Sequence, residues 1–247
     1  MVSMQLFVYP EKIFVKKISE EISLLLKKKP SAVIALPTGS SPLALYKELV
    51  KQCMQGKIDF SKAVFMNLDE YAGLSRENKY SYAFFLRKNF LGKINAQEKN
   101  IFLFNGAENL QKQAREREAL VKRIGIDLAL LGIGQNGHIA FNEPGTRFDS
   151  KTGIASLKAA TRKINSRFFG AGEEVPKKAV TMGLGTILRA KKIILIAKGR
   201  KKALAVKKMF ERPSLKIPAS FLQRHKNALV FCDAEAALLL NKTNKNR

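Results

Sequence analysis

Residues 130–146 read LLGIGQNGHIAFNEPGT, and two patterns compete in them. Gly132, Gly134 and Gly137 have the G-x-G-x-x-G spacing of a dinucleotide-binding turn, whereas His138, Glu143 and Pro144 stand where the helix of such a turn would run. That turn requires a helix directly after its third glycine and an acidic residue at the end of the next strand, about 20 residues on. Pro144 and Gly145 interrupt any such helix, Asp149 comes too early, and residues 152–157 (TGIASL) contain no acid. The glycines are therefore read as letting backbone approach a ligand closely, with no dinucleotide. His138, one of two histidines in the chain, has Glu143 five residues on and offers a proton-exchanging group near neutral pH. A hydrogen-bonded, inert histidine is the other reading of the same spacing.

Around this stretch, short β-branched apolar runs alternate with amphipathic ones. Residues 5–9, 32–36, 63–68, 101–104, 127–133, 192–197 and 228–232 predict strands. Residues 11–28, 42–55, 80–91, 107–123, 199–210 and 234–240 predict helices. This alternation predicts an α/β fold, a single-domain open and mostly parallel sheet with helices on both faces, Rossmann-like but not dinucleotide-binding. Neither a repeat nor a Gly/Ser-rich or Pro-rich linker divides the chain, so residues 1–240 are expected to form one domain and residues 241–247 a polar tail.

In open parallel sheets ligands gather at the carboxyl ends of the strands, and four such ends here carry reactive or charged sequence. The strand at 32–36 runs into Pro37-Thr38-Gly39-Ser40-Ser41-Pro42, where Thr38, Gly39, Ser40 and Ser41 can offer backbone N–H groups and hydroxyls to a phosphate at a helix start. An ordinary capped loop is the plainer reading. The strand at 63–68 ends in Asp69-Glu70-Tyr71. A carboxylate there can be desolvated into a base, or can simply cap the segment that follows. The opening stretch is the third end. The fourth is basic: Arg167 within TRKINSRFF and Lys202 within GRKKA can supply a guanidinium fork and a point charge to one phosphate, although each alone could be solvated surface charge.

Bulk properties narrow the function classes. A chain of 247 residues with 46% hydrophobic residues can build a sizeable core. Its longest apolar runs fall far short of the roughly 20 residues that cross a bilayer, and residues 1–12 lack the features of a secretory signal. A cytoplasmic protein with no membrane partner is expected. Cys53 and Cys232 show no metal-type spacing and make no disulfide framework. The 45 Lys+Arg against 20 Asp+Glu give +25, a balance that would suit nucleic acid. The lysines are scattered, however, and no RNP motif, zinc-finger spacing or basic heptad accompanies them. Nucleic acid is not the expected partner, whereas a positive field would draw in small phosphorylated substrates.

Taken in order, LPTGSSP, NLDEY, GIGQNGHIAFNEPGT, NSRFF and KGRKKALA resemble the glucosamine-6-phosphate deaminase (glucosamine/galactosamine-6-phosphate isomerase) family, with a match from about residue 33 to 233. The GHIAFNEPG segment is the most specific part. Related 6-phosphogluconolactonases share the fold and a Gly-His pair but usually lack Phe-Asn-Glu-Pro, so a lactonase is the alternative. A non-catalytic protein that binds sugar phosphate or nucleic acid is a third reading.

The resemblance implies conversion of glucosamine 6-phosphate to fructose 6-phosphate and ammonia, with no cofactor and no metal. It makes His138 the ring-opening group, tuned and oriented by Glu143, and Asp69 the base that moves a proton from C2 to C1. It also implies phosphate binding by Thr38, Gly39, Ser40, Ser41, Arg167 and Lys202, and a lid at residues 157–177. Asn136 stands where some members carry aspartate; it can hydrogen-bond to the histidine but cannot balance a positive charge on it. The basic residues that allosteric members carry near Gly153 and Ala155 are missing, as is their longer C-terminal tail. An unregulated enzyme is expected, a monomer or small homo-oligomer.

Overall fold

Apolar runs lacking polar alternation become strands covered on both faces. The computed structural model describes residues 4–170 and 172–240. In it β1 (Gln5–Val8), β2 (Val33–Leu36), β3 (Val64–Asn67), β5 (Ile101–Phe102), β6 (Leu128–Gly132), β9 (Lys192–Ala197) and β10 (Ala228–Cys232) build a seven-stranded sheet in the order β1-β10-β9-β6-β2-β3-β5. Every neighbouring pair is parallel. A second sheet is antiparallel, with β4 (Asp69–Tyr71), β8 (Lys178–Thr181) and β7 (Gly153–Ser156) in that order.

The period-two geometry of strands sends alternate side chains to opposite faces. Ile34 and Leu36, Phe65, Leu128 and Leu130, and Ile194 and Ile196 pack with α1 (Glu11–Lys28), α2 (Leu43–Met54) and α3 (Tyr82–Asn89). Their neighbours Val33 and Ala35, Met66, Ala129 and Leu131, and Ile193 and Leu195 pack on the opposite face with α4 (Leu110–Ile124). Two shorter helices, α6 (Leu184–Ile187) and α7 (Ala203–Met209), join α4 there, while α5 (Ala159–Asn165) lies between β7 and β8. Helices thus cover both faces, as the alternation predicts.

From β2 the chain moves outward to β3 and β5, then returns to place β6 on the other side of β2, and continues to β9. The sheet order therefore reverses between β2 and β6. Connections leave these two strands in opposite directions, which opens a crevice at their carboxyl ends. The third relevant strand end is β3, where Leu68 carries the chain from the parallel sheet into β4 of the second sheet.

All seven expected strands are present, and the differences lie at element ends and in the small sheet. The strand expected at 101–104 stops at Phe102 because the Phe104 N–H turns to Asn67 Oδ1 (3.0 Å) and the Phe102 carbonyl accepts from Arg117. The helix expected at 107–123 begins at Leu110, where the Asn109 side chain accepts the Lys112 N–H. The helix expected at 80–91 begins after Ser81, whose hydroxyl accepts the Phe84 N–H. Residues 200–202 form a 3-10 turn before α7. Residues 234–240, expected as a helix, form successive turns. Only the Ala237 N–H to Asp233 carbonyl bond there has α-helical spacing; the bonds from Leu238 and Leu240 close shorter turns. The expected tail at 241–247 lies outside the described residues. No described helix is long and apolar enough to cross a membrane.

Candidate active site

The crevice at the sheet's reversal is a cleft of about 270 Å³, walled by the ends of β2, β3, β6 and β9 and by the segment after α5. Thr38, Gly39, Ser40, Ser41, Asp69, His138, Arg167 and Lys202 all line it. Five separate stretches of sequence thereby meet at one place. Asn136 and Glu143 are not among the lining residues.

The β2 loop owes its shape to Gly39, at φ +91°, a conformation only glycine adopts without strain. The Tyr46 hydroxyl donates to the Pro37 carbonyl (2.6 Å) and anchors the loop from within α2. Facing it, Lys202 donates to the Ile133 carbonyl (2.6 Å), which ties the ammonium to the end of β6. Burial, and then the nearby Arg167 guanidinium, lower the Lys202 pKa to about 8, leaving it largely protonated at neutral pH. Arg167 lies in the 3-10 turn Ser166–Phe168, its guanidinium 4.6 Å from the Phe168 ring centre.

The glycine pattern of the opening stretch has separate explanations at each position. Gly132 lines the cleft as the last residue of β6. A methyl at Gly134 would collide with three atoms of the His138 imidazole, so this glycine makes room for the ring. Gly137, at φ +81°, turns the chain and would meet Ile217 at 2.8 Å if it carried a Cβ. No helix follows, and the chain instead closes a tight turn in which Asn142 Nδ2 donates to the carbonyls of Ile139 (2.9 Å) and Met182 (2.8 Å). Ala140 on this turn lines the cleft at φ +51°, the sole non-glycine residue with positive φ among the described ones.

Burial, and secondly the Lys202 charge, lower the His138 pKa to about 4, so its imidazole is neutral at pH 7. Asn136 does bond to this histidine, but its Oδ1 accepts the backbone N–H (3.2 Å) and not a ring proton. Glu143 is buried, and its Oε1 accepts the Lys158 N–H (3.2 Å). His138 Nδ1 and Glu143 Oε2 are both buried and without a hydrogen-bond partner among the described residues.

The adjacent carboxylates divide their work as strand alternation requires. Asp69 faces the cleft, where burial first and the Glu70 charge second raise its pKa well above the ordinary carboxylate value. Glu70 points away and accepts the N–H groups of Tyr71 (2.9 Å), Tyr82 (2.9 Å) and Ala83 (2.8 Å), capping α3. Burial raises Glu70 to about 7 in spite of these bonds.

Sequence reasoning missed the aromatic wall. Tyr80 and Tyr82 line the cleft from the entry of α3, and Asn165 from the end of α5. Asn165 Nδ2 donates to the Tyr71 hydroxyl (2.9 Å), the Tyr82 hydroxyl donates to the same oxygen (3.1 Å), and the Gly170 N–H donates to the Tyr80 hydroxyl (3.0 Å). The only sequence signal was two tyrosines flanking a serine cap in KYSYAFF. Among the described residues no group of three or more His, Cys, Asp or Glu side chains is placed to hold a metal ion.

Known proteins share both the sequence and this architecture. Glucosamine-6-phosphate deaminases from Thermoanaerobacter sp. (strain X514) and Clostridium perfringens (strain SM101 / Type A) are each 44% identical to the chain. The alignments cover 91% of this chain and 90% of the first relative, and 93% and 94% for the second. A solved monomeric glucosamine-6-phosphate deaminase superposes with a TM-score of 0.92 at 40% identity, over 96% of this chain and all (100%) of that one. The 6-phosphogluconolactonase of Thermotoga maritima shares the fold, with a TM-score of 0.75 at 18% identity over 93% of this chain and 99% of that one. Residues 11–231 match the family described as glucosamine-6-phosphate isomerases/6-phosphogluconolactonase, and the chain belongs to that family.

Proposed function

We propose that the protein is a glucosamine-6-phosphate deaminase of amino-sugar catabolism, releasing fructose 6-phosphate and ammonia. The observation that carries this reading is the meeting, in one cleft, of a neutral imidazole, a carboxylate of raised basicity and a cationic phosphate seat. The cyclic sugar binds with its phosphate against the Thr38–Ser41 loop, Lys202 and Arg167. Its anomeric carbon then lies toward His138. The imidazole accepts the proton of the anomeric hydroxyl and delivers one to the ring oxygen, which opens the ring. Glu143 acts on the imidazole from behind once the ring's Nδ1 turns to it, stabilising the charged intermediate form.

In the open chain, Asp69 removes the C2 proton and the electron pair shifts to give an enolamine. Returning that proton to C1 leaves an imine at C2. Water adds to that carbon and ammonia departs, giving the ketose. Each proton transfer is assigned to a protein group whose environment suits it, the pattern expected when two groups in one site have different roles. Closure of residues 157–177, which carry Arg167, would shield the enolamine from bulk water. The substrate is a soluble phosphate ester in the cytoplasm, and every cleft wall comes from a single chain, consistent with a monomer or small homo-oligomer.

The deciding measurement is coupled detection of ammonia from glucosamine 6-phosphate. Turnover is expected, and Asp69→Asn is expected to lower kcat at least about 1000-fold, since it removes a base with no substitute in the cleft, while KM changes little. Acid release from 6-phosphogluconolactone with no ammonia from the amino sugar would instead make the protein a lactonase.

A further inference from the structure

The end of β3 contains a buried guanidinium that the proposed reaction does not use. Arg117 of α4 is 5% exposed and has no carboxylate partner among the described residues. Its Nη1 donates to the Asn67 carbonyl (2.6 Å), its Nη2 to the Phe102 carbonyl (2.8 Å), and the group lies 4.0 Å from the Phe104 ring centre. Burial, with Arg76 second, pulls its pKa down to about 9. Burying a cation without a counter-charge is costly, and what meets this one is a pair of backbone carbonyls at the end of β3 and of β5.

What these contacts hold is the junction at which the chain changes sheets. Asn67, fully buried, is the last residue of β3, and Asp69 is the first of β4. Asn67 Nδ2 donates to the Asp69 carbonyl (2.8 Å), while its Oδ1 accepts the Phe104 N–H (3.0 Å). Between them, the Leu68 carbonyl accepts the Met182 N–H (2.7 Å) from the end of β8. The β3–β5 ladder has only two residue pairs, ending at Met66 and Phe102, so regular pairing stops one residue before Asn67 on that side. Arg117 and Asn67 replace the missing ladder with side-chain bonds at the point that sets where the Asp69 carboxylate points.

We infer that Arg117 and Asn67 are positioning residues for the deaminase reaction: a buried brace that aims the Asp69 carboxylate at the substrate's second carbon through the backbone of residues 67–69. The inference rests on the deaminase reading for its kinetic consequence and on geometry for the brace itself. Neither side chain lines the cleft, so losing it leaves the phosphate seat intact.

The test compares wild type with Asn67→Ala, Arg117→Met and Arg117→Lys as purified full-length chains, each assayed for ammonia from glucosamine 6-phosphate well below its own melting temperature. Because misplacing a reacting group by about 1 Å costs up to about 100-fold, Asn67→Ala and Arg117→Met should lose about 10- to 100-fold in kcat with KM within about threefold of wild type. Exchange of the C2 proton with solvent should slow in parallel. Arg117→Lys, which keeps the charge and part of the reach, should lie between Arg117→Met and wild type. If one variant does not fold, the others decide by the same criterion. A folded variant with kcat within about twofold of wild type, whatever its melting temperature, overturns the brace, as does a matching rise in KM. The wild-type control keeps the two readings apart, since failure to release ammonia refutes the deaminase reading alone. A crystal structure of Asn67→Ala then decides the brace without turnover: a displaced Asp69 carboxylate is expected, and an unmoved one overturns the inference.

Discussion

At Gly134 a single missing carbon makes room for a whole ring. A Cβ there would occupy the space of the His138 imidazole, and the group it would strike is the movable end of a side chain and not backbone. Gly134→Ala is therefore expected to fold with nearly unchanged stability while kcat/KM drops about 100-fold through the displaced ring; the melting temperature and the ammonia assay check the two halves separately. Lys202 supports a pH prediction whose sign follows from its lowered pKa of about 8. The ammonium is charged below that value and loses its charge above it, so KM should rise as pH climbs past about 8 while the substrate phosphate stays ionised. In Lys202→Arg the charge persists, because guanidinium does not titrate in this range, and the alkaline rise in KM should vanish even if the absolute KM is poorer. For His138 the direction is opposite to habit. Its pKa of about 4 keeps it neutral through the weakly acidic range, so the acid limb of kcat/KM is expected to come from the raised Asp69 carboxyl and not from this imidazole, a source that the pH–rate profile of a His138→Gln variant checks by keeping the limb of its residual activity in place.

Among the elements, those built from continuous apolar β-branched runs were legible from sequence, because burial on both faces of a parallel sheet leaves its mark in every residue. The small sheet was not. Strand β7 reads GIAS and is only half-buried, β8 reads KAVT, and β4 reads DEY, whose carboxylates are buried by tertiary packing that no local pattern records. The same reason hid Tyr80, Tyr82 and Asn165, whereas the strand-end loops could be read because their residue types carry chemistry wherever they are placed. The link between the two sheets is itself testable. Glu118 of α4 accepts from the Thr152 N–H (2.9 Å) and hydroxyl (2.7 Å), from the Thr186 hydroxyl and from Arg189 (2.8 Å), joining α4 to the start of β7 and to α6. Glu118→Ala leaves these donors unpaired. A loss of about 2 kcal/mol is expected, read as a lower urea midpoint with unchanged slope.

For the molecule as a whole, +25 of net charge accompanies a cleft proposed to take a phosphate ester. Sodium chloride raised from about 0.01 M to about 1 M shortens the screening length from about 30 Å to about 3 Å. KM for the phosphorylated substrate should then rise at least about threefold with little change in kcat, because the long-range field guides encounter and not proton transfer; steady-state kinetics across the salt series is the check. The small sheet has a further consequence at this scale. Ser156 pairs with Lys178, and the Leu157 N–H bonds the Lys177 carbonyl (2.8 Å), so the intervening stretch with Arg167 leaves and rejoins the body through one fixed doorway. Substitutions between those two posts are therefore expected to leave the strands of the parallel sheet in place while altering the wall that Asn165, Arg167 and Phe168 give the cleft, so the shape of the accepted sugar and the stability of the sheet are set by separate parts of the chain.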